Sequence, residues 1–205
     1  MKSKLKYFTA SAAALVITAA NLQANDEPGF YAKVDAGGAL QQKFHMNGTR
    51  VDFNPGFRAD IGFGYNFCKA FAAEFEVGSI WNSFDKVGGV PLTSNQEGDF
   101  YQYPFLAKAV FKHPFQNGLT PYLGAGVGGV GATLHLKPGI YDNSSSDIAF
   151  AYQAEAGLKY ALNEHIEVGV GYKFLGTHGF DFFNSTIQTD HTFSHSILAS
   201  FVWNF

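Results

Sequence analysis

From residue 193 to the last residue the chain alternates with a period of two. Phe193, His195, Ile197, Ala199, Phe201, Trp203 and Phe205 fall on one side, and Ser194, Ser196, Leu198, Ser200, Val202 and Asn204 on the other. That period is a β-strand's, because successive side chains point to opposite faces. Chain ends usually fray into water, so a strand carrying Phe201, Trp203 and Phe205 to its end is out of place on a soluble protein. It suits a sheet whose outer face meets lipid, where apolar bands end in aromatic girdles.

The opposite end reads as an export signal. Lys2, Lys4 and Lys6 form a positive stretch, Ala10 to Ala20 an apolar one, and Leu22-Gln23-Ala24 a cleavage site before Asn25. The apolar run is too short for a membrane helix, which needs about 18 or more residues. No later run approaches that length, so a membrane-spanning form of this chain must cross as strands. We therefore expect a signal peptide over 1–24 and one domain over 25–205. Removing the signal leaves 11 basic residues against 17 acidic ones, a net charge of −6, which argues against nucleic acid as a partner. Cys68 is the only cysteine, so no intrachain disulfide can form.

Alternation marks eight strands: 29–41, 52–67, 70–82, 100–112, 119–134, 148–160, 165–175 and the terminal one. The apolar face includes Phe30, Phe57, Ile61, Phe63, Phe75, Phe105, Val170, Tyr172, Phe201 and Trp203. The other face is small and polar, with Lys33, Arg58, Lys108, Lys112, Lys159 and Lys173 against Asp35, Asp60, Glu74, Glu76, Glu155 and Glu167. Six charges of each sign among Gly, Ser, Asn and Gln suit a narrow interior better than the Lys- and Glu-rich exterior of a soluble barrel. Connections alternate as well. Those at 67–70, 112–119 and 160–165 are short, and those at 42–51, 83–99, 135–147 and 176–191 are long and polar. The expected fold is all-β: a closed eight-stranded antiparallel transmembrane barrel with both termini on the side of the short turns. Charges enclosed in its lumen must pair. Arg58 is expected to bridge some of the carboxylates Asp60, Glu74, Glu76 and Glu155, with Lys33, Lys108 and Lys173 neutralising the rest and Asp35 and Glu167 in the same lumen charge cluster.

The signal, the eight strands, the Pro121–Gly129 segment PYLGAGVGG and the terminal FVWNF together resemble the bacterial outer-membrane β-barrel family that includes OmpA, OmpX and Opa-like surface proteins. The resemblance spans the mature chain. With no segment after the eighth strand, the single-barrel form is the expected one. It implies a cell outer-membrane location with periplasmic termini, contact with outer-membrane lipid and lipopolysaccharide, and a monomeric barrel. It also implies insertion by the barrel-assembly machinery, with Phe201, Trp203 and Phe205 as the C-terminal signal.

Function is less constrained, since such barrels host many activities. An adhesin or other surface protein needs only the long loops, whose apolar residues Phe84, Val87, Val90, Ile140, Tyr141, Phe180, Phe182 and Phe183 are expected to be exposed for host or surface ligands, the alternative being that the aromatics among them lie in the upper girdle or cover the barrel mouth. A lipid A-modifying enzyme would use a His with Ser, but alternation puts His195 on the lipid face and Ser194 and Ser196 in the lumen. A small pore would need more strands, because eight leave a lumen that side chains fill. His178, Asp181, Asp190 and His191 share one loop, and without a scaffold they read as a polar loop. No catalytic residue, cofactor or metal is expected.

Overall fold

The computed structural model describes residues 28–91, 98–136, 143–182 and 187–205; the expected signal peptide lies outside them. These residues form β1 (Gly29–Gln41), β2 (Phe44–Met46), β3 (Thr49–Phe53), β4 (Gly56–Cys68), β5 (Phe71–Val87), β6 (Val90–Pro91) and β7 (Gly98–Lys112). The remainder are β8 (Leu119–Leu136), β9 (Asn143–Ala161), β10 (Ile166–Thr177), β11 (Asp181–Phe182), β12 (Ile187–Gln188) and β13 (Thr192–Asn204). Eight of them pair antiparallel in the ring β1-β4-β5-β7-β8-β9-β10-β13, and β13 returns to β1 with Val34 opposite Phe201 and Gln41 opposite Ser194. Closure leaves no barrel edge unpaired.

The all-β, eight-stranded antiparallel barrel expected from alternation is the fold observed. The eight outward aromatics Phe30, Phe57, Phe63, Phe75, Phe105, Tyr172, Phe201 and Trp203 are all exposed. Lumen-facing positions are small where the opposing side chains are long. On β8, a Cβ on Gly124 would meet the Glu155 side chain, and one on Gly126 would meet Lys108. The glycine run of this strand therefore makes room for charge.

Two expectations need correction. The second strand, expected over 52–67, is two separate elements. The chain breaks at Asn54-Pro55, where proline lacks the N–H that a ladder requires. β3 leaves the barrel and pairs with β2 and with the upper part of β5. The segments 42–51 and 83–99 are likewise not plain loops. The first holds the β2–β3 hairpin, whose Asn47-Gly48 turn has positive φ at both residues. In the second, β5 runs on to Val87 and turns back into β6 through Gly88-Gly89, both again at positive φ. Paired positive φ is the geometry of the favoured two-residue hairpin turn.

The first hairpin then docks on the segment that precedes β13. Met46 bridges Thr189, the Asn47 N–H donates to Gln188 O (3.0 Å), and the Asp190 N–H donates to His45 O (3.2 Å). The long-loop end of the barrel thus carries a small sheet of its own.

Candidate functional site

The lumen is layered. At the short-turn end Tyr31, Ala72, Val110, Tyr122 and Val202 form an apolar layer. Above it lies the ionic layer, contributed by β1, β4, β5, β7, β9 and β10, because each places an inward position at the same height. Glu76 is the hub. It accepts from Lys108 Nζ (2.5 Å), Lys173 Nζ (2.7 Å), Gln153 Nε2 (3.0 Å) and Arg58 Nη2 (3.2 Å). Arg58 is fully buried and also donates to Asp60 (2.8 Å) and to Gln153 Oε1 (2.7 Å). Lys33 pairs with Glu74 (2.9 Å) and Asp35 (3.3 Å), and Lys108 with Glu74 (2.6 Å) and Glu155 (3.0 Å).

Carboxylate oxygens of Asp35, Asp60 and Glu76 lie within 4.8 Å of one another, a spacing that suits a cation. The cation there is an ammonium of the chain itself: Lys173 Nζ is 2.6, 2.7 and 2.7 Å from Asp35, Asp60 and Glu76. Five carboxylates meet four cations in this layer, and every one of those nine groups has an opposite charge in reach.

Glu167 stands apart from the cluster in which the sequence had grouped it. It sits at the short-turn rim, 3.8 Å from Lys159 and 3.3 Å from Asn204 Nδ2. Lys159 is buried beside the rings of Tyr122 and Tyr31, at 5.1 and 5.7 Å from their centroids. Sequence reasoning missed Tyr31, whose hydroxyl donates to Glu74 (2.8 Å), and Gln153, which links Arg58 to Glu76. Both occupy inward positions of the same alternation, and that was the available signal.

Toward the long-loop end the lumen is apolar. Phe44, Phe84, Phe100, Phe180 and Phe182 are buried with Ile80, Leu106, Val130, Leu134 and Leu175, and Phe53 packs against them. Ring centroids run Phe84–Phe53 5.2 Å, Phe53–Phe44 5.1 Å, Phe44–Phe100 5.7 Å and Phe100–Phe180 6.2 Å. Phe84, Phe180 and Phe182 are therefore not exposed ligand-binding groups; of the two readings the sequence allowed, they follow the one in which aromatics cover the barrel mouth. Val87 and Val90 are exposed, and Ile140, Tyr141 and Phe183 lie outside the described residues.

No nucleophile meets a base on β13. Ser194 and Ser196 point inward and are buried, while His195 points outward to Tyr172 Oη (2.5 Å) and Gln42 Nε2 (2.6 Å). In the last long loop the Asp190 carboxylate pairs with His45 (3.2 Å), and the backbone N–H of Asp181 donates to Asp147 Oδ2 (2.8 Å). Phe201 and Trp203 face outward, and the Phe205 N–H donates to Phe30 O (3.0 Å), which ties the last residue to β1.

The model of the outer membrane protein beta-barrel domain matches residues 9–205. Neisserial surface protein A (NspA) superposes with a TM-score of 0.58 at 21% identity, covering 86% of this chain and 97% of that one. OprG from Pseudomonas aeruginosa gives 0.54 at 14% identity, covering 89% and 99%. Ail, the attachment invasion locus protein of Yersinia pestis, solved with the heparin analogue sucrose octasulfate, gives 0.51 at 16% identity, covering 86% and 99%. At these identities what is shared is the fold. No curated protein sequence matches the chain.

Proposed function

This chain belongs to the outer membrane protein β-barrel domain family, and from that premise we propose that it is a non-enzymatic surface protein of the bacterial outer membrane, working through its extracellular crown. The observation that carries the reading is the filled lumen: an ionic layer under an apolar one leaves the long-loop end as the surface for interaction. The separation of His195 from Ser194 and Ser196 supports a non-enzymatic role, since nucleophilic catalysis needs base and nucleophile in hydrogen-bond reach. Residues 1–24 serve as the signal peptide in this reading, and 25–205 as the barrel. Phe201, Trp203 and Phe205 serve as the mark read by the barrel-assembly machinery. Lipid and lipopolysaccharide surround the outer wall.

The chemistry of the crown narrows the partner. Its four long segments hold Lys43, Arg50, Lys86 and Lys137 against Asp85, Glu97, Asp99, Asp142, Asp147, Asp181 and Asp190. An acidic crown repels sulfated polyanions of the kind bound to Ail. A surface partner of this chain should instead be neutral or basic, engaging the exposed tip at Val87, Val90 and Pro91. The test compares the intact barrel with one whose residues 85–97 are replaced by a two-residue turn, for binding to matrix and serum proteins. Binding that disappears while the thermal midpoint holds supports the surface role. Equal binding by both forms counts against it, and a lipid A profile altered by expression would make the protein an enzyme.

A further inference from the structure

His178 and His191 face one another across the neck of the loop joining β10 to β13. The rung below them is Thr177 opposite Thr192, with hydroxyl oxygens 2.6 Å apart. Above them, Thr189 N–H donates to Phe180 O (3.0 Å) and Phe180 N–H to Thr189 Oγ1 (2.8 Å). Thr177, Thr192 and Phe180 are buried, so alternation turns both histidines outward, where they are exposed. The His178 N–H donates to Phe150 O (3.0 Å), and its ring rests against the Phe150 ring at 5.7 Å. The neck is thus held from three sides.

The two imidazole centroids are 4.9 Å apart with planes at 65°. A coordinating nitrogen lies roughly 1.2 Å from its ring centroid and about 2.0–2.1 Å from a bound ion, so a shared ion would sit about 3.2 Å from each centroid. With one nitrogen of each ring turned to a shared ion, centroids 4.9 Å apart subtend roughly 100° at it, between the angles of square-planar and tetrahedral coordination. Of the other histidines at this end, His45 pairs with Asp190 and His195 with Tyr172 and Gln42. Among the described residues His178 and His191 make only ring contacts through their side chains.

We propose that His178 and His191 form a two-imidazole site for a divalent transition ion such as Zn²⁺, Cu²⁺ or Ni²⁺, the ions that imidazole favours. The remaining coordination positions open outward, to water or to a ligand at the cell surface. An ion held there ties the end of β10 to the start of β13, at the base of the loop that seats Phe180 and Phe182 in the lumen. The site therefore also clamps that loop.

The test uses the tag-free full barrel in detergent micelles, titrated calorimetrically with ZnCl₂. One equivalent should bind, and the thermal midpoint should rise with zinc. His178→Ala and His191→Ala should each weaken binding at least about tenfold, and the double variant should bind no more weakly than either single one. His178→Phe and His191→Phe keep the ring packing and should lose zinc in the same way, so misfolding of the alanine variants cannot decide the matter. His45→Gln and His113→Ala should bind as the parent does. Absence of binding by the parent overturns the proposal, as does binding that survives both phenylalanine variants or disappears in His45→Gln.

Discussion

Glu76 accepts hydrogen bonds from Arg58, Lys108, Gln153 and Lys173, which reach it from four different strands. Which residues enter the lumen was legible, because period-two alternation sorts side chains between two faces without reference to their partners. Which of them meet was not: Arg58 and Gln153 are 95 residues apart, and only closure and stagger of the barrel bring them to one height. Glu167 shows the limit of the method, since it shares the inward parity but sits too near the rim to reach the cluster. The arrangement predicts a large penalty for unbalancing it. Arg58→Ala leaves buried Asp60 and Glu76 short of a guanidinium, and breaking a buried pair from one side costs about 3–5 kcal/mol. Lys43→Ala, an exposed loop charge, should stay within about 0.5 kcal/mol. Urea unfolding in micelles checks both, and equal midpoints for the two variants would contradict the ionic assignment.

Among the elements, β1 matches its expected bounds, Gly29–Gln41, to the residue, and the other barrel strands differ mainly by extending further toward the long-loop end. The larger error, joining β3 to β4, arose because alternation continues in phase across Pro55 and hides the break. The crown hairpins carried their own signals, Asn47-Gly48 and Gly88-Gly89, inside segments whose polarity read as loop. The inward fold of Phe180 and Phe182 had no such signal, since their neighbours are Gly, Asp and His in a polar stretch. β13 is the element that closes the ring, pairing with both β1 and β10. Phe205 adds one backbone hydrogen bond and a half-buried ring to the finished barrel. Deleting it should therefore slow assembly and leave the folded midpoint nearly unchanged. Refolding kinetics and the yield in the outer membrane distinguish these effects, and an unaltered yield with an unaltered rate would remove the assembly role.

At the scale of the molecule, the barrel is blocked twice by different physics. An ion entering from the periplasm meets the apolar layer of Tyr31, Ala72, Val110, Tyr122 and Val202 and then four fixed cations and five fixed carboxylates, each with an opposite charge already in reach. One entering from outside meets an apolar layer with no group to replace its hydration, at a cost of several kcal/mol. Eight strands leave an interior that side chains can fill, and here they fill it. The intact barrel should show no steady conductance in planar bilayers. Removing only the apolar layer, as in Phe180→Ala combined with Phe182→Ala, should still yield no open channel, because the ionic layer remains. Adding Arg58→Ala to that pair should permit brief openings, since both layers are then compromised. Steady conductance from the parent would show that the lumen is a path. Conductance from the phenylalanine pair alone would place the whole barrier in the apolar layer and leave the ionic layer a purely structural role.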